Sequence, residues 1–129
     1  MVYIGDVDEI WEPTNIVPSK LKLRVYTYYL NNRSSEQFWG TFVARWGGIK
    51  DRCLNDLRND KRFRTKEYEG WHFTSMGGLK EVQRKLNDSY STETNNRPAV
   101  QVLLPFSVEN RVDFLGRNFT YELTEEDWP

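Results

Sequence analysis

The sequence lacks several features that would assign it to a class of protein at once. It has one cysteine, Cys53, so an internal disulfide is excluded. No apolar run approaches the ~20 residues of a membrane span, and no secretory signal is visible. The net charge is only -1, and the most basic segment, residues 60–66, is short, so a binding surface for a nucleic-acid backbone is not indicated. These absences predict a soluble, cytoplasmic protein.

What is present indicates a folded chain with one core. The 129 residues suit a single domain, 1–129. With 38% apolar and 29% charged residues, the composition argues against disorder. Aromatic residues reach 15%, which suits either a heavy core or a surface that stacks on sugars or bases.

Hydrophobic periodicity predicts alternating strands and helices. Residues that alternate between apolar and polar predict strands over 21–29, 38–46, 68–73 and 119–123. Apolar residues at helical spacing predict helices over 49–57, from Gly78 onward, and from an N-cap at Ser107 to a C-terminal Gly116. Polar loops are predicted over 31–36 and 91–98, and the helical spacing makes Cys53 a small core residue. The fold class is therefore α/β, a mixed sheet with flanking helices.

An acidic cluster near the start is the strongest sign of chemistry. Tyr3 and Ile4 predict a buried strand, and Asp6 and Asp8 follow it directly. Two aspartates at i and i+2 on a turn can converge on one hard cation. His72 is the one histidine. If it faces these carboxylates, two oxygens and one nitrogen form a set that suits Mn²⁺ or Mg²⁺.

Five segments resemble a known family in their order. They are residues 5–10 (GDVDEI), 28–31 (YYLN), 39–41 (WGT), 70–78 (GWHFT, then GG) and 113–117 (DFLGR). This order resembles glycosyltransferase family seventeen, the β-1,4-mannosyl-glycoprotein N-acetylglucosaminyltransferase family with its bacterial and viral relatives. The resemblance covers nearly the whole chain, and its most specific parts are the acidic motif and the Gly-Trp-His-Phe segment.

The resemblance implies the second half of a GT-A nucleotide-sugar transferase fold. The implied reaction is a metal-dependent, inverting transfer of a sugar, typically N-acetylglucosamine, from a UDP donor to a glycan hydroxyl. Asp6 and Asp8 would then hold the Mn²⁺ or Mg²⁺ that bridges the donor diphosphate, and His72 would be the third metal ligand. A cation is needed there because the leaving nucleoside diphosphate develops negative charge.

A carboxylate must also take the proton of the acceptor hydroxyl. Glu93 lies where relatives often carry a His-x-Glu element, and it is the expected catalytic base. Glu9 and Glu69 are rivals for this role. Residues 90–92 (Tyr-Ser-Thr) stand in place of the histidine of that element.

Relatives have roughly half a domain before the acidic motif, whereas five residues precede Asp6 here. That half supplies most of the nucleotide pocket. The expected partners are therefore a nucleotide-sugar donor, a glycan acceptor and either a separate N-terminal half or a second copy of the chain. On this basis we expect no efficient sugar transfer by the chain alone.

Two other functions fit the sequence. The first is a non-catalytic remnant that acts as a carbohydrate-binding or assembly module, with Trp39, Trp46 and Trp71 as stacking surfaces. The second is a small metal-dependent phosphoester hydrolase. The hydrolase has less support, because such sites usually show more acidic or histidine ligands than this chain offers.

Overall fold

The computed structural model describes residues 1–12, 17–62, 65–66, 70–88 and 97–125. The strands are β1 (Val2–Ile4), β2 (Glu9–Trp11), β3 (Ser19–Thr27), β4 (Asn32–Ala44), β5 (Thr65–Lys66), β6 (Gly70–Thr74) and β7 (Tyr121–Leu123). The helices are α1 (Trp46–Ile49), α2 (Leu54–Asn59), α3 (Gly78–Asp88) and α4 (Pro98–Asn110). Among these helices, none has the length and apolar character needed to cross a membrane.

The strands form one mixed sheet in the order β1-β4-β3-β6-β2, with β5 beside β3 and β7 beside β4. The pairs β1–β4, β2–β6 and β4–β7 are antiparallel, whereas β3–β5 is parallel. The predicted mixed α/β class is therefore confirmed. The chain divides into two compact units. Unit 1 comprises residues 1–24 and 37–72, and unit 2 comprises residues 25–36 and 73–129.

The two long strands, β3 and β4, differ in how well hydrophobic periodicity predicts them. In β3, Leu21, Leu23 and Val25 are buried and alternate with half-buried polar residues, as predicted. The polar loop predicted over 31–36 is wrong, because β4 already begins at Asn32. These polar residues form a strand because they pair with β7, and the buried Asn32 side chain donates to the Thr27 carbonyl at 3.0 Å.

In unit 1, apolar side chains pack in two clusters on alternating positions of β4 and β1. Phe42 packs with Ile4 and with the helix residues Ile49 and Leu57. Val43, the next residue of β4, belongs to the other cluster, which also holds Leu21, Leu23, Tyr3, Trp11 and Phe38. Because successive strand residues point to opposite faces, both faces of this part of the sheet are covered by apolar groups.

The single helix predicted over 49–57 is two short helices, α1 and α2. Cys53 lies between them, precedes α2 and is exposed. Its prediction as a small core residue is therefore wrong. The helical spacing with its neighbours does not apply, because the chain leaves the helix between Ile49 and Leu54.

In unit 2, α3 and α4 pack against Tyr28. The helix predicted from Gly78 onward is confirmed as α3, and its apolar residues at helical spacing form its packed face, since Val82 and Leu86 are buried and Leu79 packs against them. The predicted helix start at Ser107 is wrong, because α4 begins with Pro98 in its first turn and runs to Asn110.

Proline fits the first turn of a helix well, whereas Pro105 lies inside α4. The buried Leu104 and Val108 are four residues apart and fall on one face. Packing of this face on the Tyr28 cluster keeps the segment helical past Pro105.

The Tyr28 hydroxyl connects the turn after β3 to the segment after α4. It donates to the Val112 carbonyl at 2.7 Å and accepts from the Phe114 amide at 3.2 Å. Tyr28 also has a positive φ of 68°, a conformation that a bulky residue rarely adopts. These contacts hold the turn in that conformation.

We predict that Tyr28→Phe lowers the free energy of unfolding by about 1–3 kcal/mol, because it leaves two part-buried backbone groups without their partner. Urea denaturation measures the change. Tyr29→Phe is the control, since Tyr29 is 39% exposed, and it should change stability by no more than about 0.5 kcal/mol. Equal effects of the two substitutions would contradict the role of the Tyr28 hydroxyl.

Candidate metal centre

The acidic motif forms the tight connection between β1 and β2 in unit 1. The Glu9 amide donates to the Asp6 carbonyl at 3.1 Å, which closes the turn. Gly5 fits because of close packing, since a Cβ there would lie 2.1 Å from Thr41 Oγ1 and 2.8 Å from Glu9 Oε2. Only glycine leaves room for both groups.

Glu9 points inward from β2 and is only 4% exposed. Its Oε2 accepts a hydrogen bond from the Thr41 hydroxyl at 2.6 Å. Its Oε1 is buried and has no hydrogen-bond partner among the described residues. A Cβ at Gly40 would lie 2.4 Å from this Oε1, so a second glycine keeps space for the carboxylate.

His72 lies directly opposite Glu9 in the antiparallel β2–β6 pair. Residues in such register share one face of the sheet, with Cβ atoms about 4.5–5.5 Å apart. The imidazole stacks on the Phe38 ring, with 4.0 Å between ring centroids and 10° between planes. Its Nδ1 lies 3.6 Å from Asp8 Oδ1. The ring is therefore fixed in orientation beside two carboxylates.

Asp8, Glu9 and His72 each offer one ligand atom, and these atoms lie within 4.8 Å of one another. Ligands on opposite sides of Mg²⁺ or Ca²⁺ lie about 4–5 Å apart, given metal–oxygen distances of about 2.0–2.6 Å. Two carboxylates and an imidazole suit a divalent cation. The buried, unpartnered Oε1 of Glu9 adds an acceptor that a cation would satisfy.

Asp6 is engaged elsewhere in this arrangement. Its two carboxylate oxygens accept from the Arg58 guanidinium of α2 at 2.9 and 2.5 Å. The expected ligand set was Asp6, Asp8 and His72. The structure brings Asp8 and His72 together, adds Glu9 and places Asp6 in an ion pair.

The structure describes only one of the three candidate catalytic bases. Glu93 and its rival Glu69 lie outside the described residues. The other rival, Glu9, lies within the ligand group, where its Oε2 already accepts from Thr41. Its geometry suits a metal ligand better than a base that must reach an acceptor hydroxyl.

The three tryptophans named as stacking surfaces differ in exposure. Trp71 is buried, so its ring faces are not available to a ligand. Trp39 is 40% exposed with the Lys22 ammonium 5.4 Å from its ring, and Trp46 is 60% exposed.

The remaining segments of the resemblance meet in unit 2. The Gly77 amide donates to the Tyr28 carbonyl at 3.2 Å, and the Phe114 amide reaches the Tyr28 hydroxyl. Asp113 is buried and accepts three bonds from Arg117, at 2.7, 2.8 and 3.1 Å. The Asp-Phe-Leu-Gly-Arg segment therefore forms a turn that is held by the ion pair between its first and last residues.

Comparison with protein families, curated proteins and solved structures finds no match to this chain. The resemblance therefore rests on the five sequence segments alone. Residues from three of these segments, namely Gly5, Gly40, Thr41 and His72, lie around the Glu9 carboxylate in unit 1.

Burial raises the pKa of Glu9 above its usual value of 4.5, and the nearby Asp6 carboxylate adds to this. The Thr41 hydrogen bond and the Arg58 charge act in the opposite direction and do not cancel it. The folded protein therefore holds the Glu9 proton more tightly than the unfolded chain does.

We predict a pH-dependent stability from this group in metal-free buffer. The stabilisation by protonated Glu9 is fully present below about pH 4.5 and is lost as pH rises through the folded pKa. In urea denaturation with EDTA, the stability of wild type relative to Glu9→Gln should fall between pH 4 and pH 7. A difference that stays constant or grows with pH would contradict the burial of this carboxyl group.

Proposed function

We propose that this chain is a metal-dependent inverting glycosyltransferase, or part of one, that acts on a nucleotide-sugar donor. The observation that carries the proposal is the convergence of the acidic motif, the Trp-Gly-Thr segment and His72 on one buried group. These segments lie far apart in the sequence, and they are the ones that resemble glycosyltransferase family seventeen.

Asp8, Glu9 and His72 would hold Mn²⁺ or Mg²⁺. When bound, the cation would neutralise the charge that develops on the leaving nucleoside diphosphate. The protein supplies the orientation of these ligands. Thr41 holds one oxygen of Glu9, and the Phe38 ring holds the imidazole plane. Fixed groups of this kind need no reorganisation during the reaction.

The Arg58–Asp6 pair has a separate role in the proposal. It ties the loop before β2 to α2, and so it steadies the backbone from which Asp8 projects. With both oxygens of Asp6 paired to Arg58, Asp6 positions the loop and Asp8 contacts the cation.

We predict that Mn²⁺ binding distinguishes the two ligand sets. Asp8→Asn should weaken Mn²⁺ binding about tenfold or more, because it removes a charged ligand, whereas Asp6→Asn should weaken it less. Asp56→Asn in α2 is exposed and serves as the control. Isothermal titration calorimetry measures the affinities. Equal losses for Asp6→Asn and Asp8→Asn would instead support the set expected from the sequence.

The transferase function is tested by measuring whether binding of the metal and binding of the donor strengthen each other. If the cation bridges protein and diphosphate, UDP-N-acetylglucosamine should tighten Mn²⁺ binding, and Mn²⁺ should tighten donor binding by the same factor. Asp8→Asn should abolish both effects. Donor binding that is the same in EDTA and in Mn²⁺ would reject the proposed role.

A non-catalytic carbohydrate-binding module is the second candidate, and the exposed Trp39 and Trp46 favour it. Large aromatic faces in contact with water are typical of surfaces that stack on ligands. Glycan binding that is insensitive to EDTA, and that is lost in Trp46→Ala but not in Asp8→Asn, would support this function over the transferase.

A further inference from the structure

Unit 2 contains a cavity of about 180 Å³ that none of the preceding functions uses. Its lining includes Thr27, Thr74 and Ser75, which we call the hydroxyl wall, and the apolar residues Val82, Leu86 and Phe114. Lys85 and Arg117 complete the lining. Pockets of mixed apolar surface with a few placed polar groups are typical small-molecule sites.

Two of the three residues of the hydroxyl wall are buried, and one of them has a strained backbone. Thr27 and Ser75 are almost fully buried. Ser75 has a positive φ of 52° although it is not glycine. Strained backbone of this kind clusters at ligand sites, where the surrounding structure enforces it. Buried hydroxyls can each donate one hydrogen bond and accept others, so this wall suits a polyhydroxylated ligand.

The charged side chains that line the cavity are both cations. The Lys85 ammonium lies 3.3 Å from the Thr74 hydroxyl oxygen, which holds it beside the hydroxyl wall. The Arg117 guanidinium is already paired with the Asp113 carboxylate at 2.7 Å, so the Lys85 ammonium is the cation assigned to a ligand. Among the described lining residues there is no carboxylate. A charge-assisted bond from the Lys85 ammonium favours an oxyanion over a neutral ligand.

We propose that this cavity binds a small polyhydroxylated molecule that carries one oxyanion group, a carboxylate or a phosphate. The hydroxyl wall takes the ligand hydroxyls, the Phe114 side takes its C–H surface, and Lys85 pairs with the oxyanion. The proposal goes beyond the transferase function and requires no metal.

Three hexoses that differ only at C6 test it: glucuronate carries a carboxylate, glucose 6-phosphate a phosphate and glucose a hydroxyl. NMR titration of the ¹⁵N-labelled chain in EDTA measures their affinities and locates the shifts. At least one charged hexose should bind about tenfold more tightly than glucose, with shifts at Thr74, Ser75 and Lys85. Which charged hexose binds better identifies the source of the oxyanion.

Variants of two lysines on α3 show whether binding depends on a specific pair between Lys85 and the ligand or on the overall charge of the helix. Lys85→Gln should weaken binding of the charged hexose about tenfold, and Lys85→Arg should retain most of it. Lys80→Gln removes the same charge from α3 at an exposed position that does not line the cavity, and it should have no effect. Thermal unfolding confirms that each variant is folded.

Three results would overturn the proposal. The first is the absence of saturable binding by either charged hexose. The second is equal affinity for glucose and the charged hexoses. The third is an equal effect of Lys85→Gln and Lys80→Gln. Binding would then depend on the overall charge of α3 and not on a specific pair between Lys85 and the ligand.

Discussion

The burial of the Glu9 carboxylate is the constraint on which the site in unit 1 depends. Removing this group from water is costly unless hydrogen bonds or charges compensate. Within the part of the chain that the structure describes, only one of its oxygens has such a bond, from Thr41. The chain nevertheless keeps space for it, since Gly5 and Gly40 both leave out a Cβ that would collide with it. Groups that lower stability in this way are typical of functional sites.

A second buried carboxylate shows the contrast. Asp113 in unit 2 accepts three hydrogen bonds from Arg117, so its charge is fully compensated within the segment. Burial also raises the pKa of the neighbouring Tyr121 to about 12, which keeps that phenol neutral. Asp113 therefore has a structural explanation that requires no ligand. Among the described residues Glu9 has no such compensation, and the proposed cation held with Asp8 and His72 would supply it.

The sequence predicts those parts of the fold in which a local pattern and the tertiary environment agree. Leu21 and Leu23 in β3, and Val82 and Leu86 in α3, follow the periods of a strand and a helix, and the structure buries them. The polar start of β4 could not be predicted in this way, because its pairing partner β7 lies about 90 residues away in the sequence. The helical conformation around Pro105 likewise depends on packing against Tyr28.

The candidate site was predictable in part for the same reason. Asp8 and His72 could be named from residue type alone, since a carboxylate after a strand and a lone imidazole are chemically conspicuous. Glu9 could not, because its inward direction depends on the register of β2. Alternation by hydrophobicity would place Ile10 inside, yet Ile10 is 44% exposed while Glu9 is buried.

The register is fixed by contacts across the sheet. Trp11 stacks on Tyr3 with 6.0 Å between centroids, and Glu9 bonds to Thr41. A shift of one residue would turn Glu9 to solvent and separate it from Asp8 and His72. The contacts that fix the register of β2 therefore also bring the candidate metal ligands together.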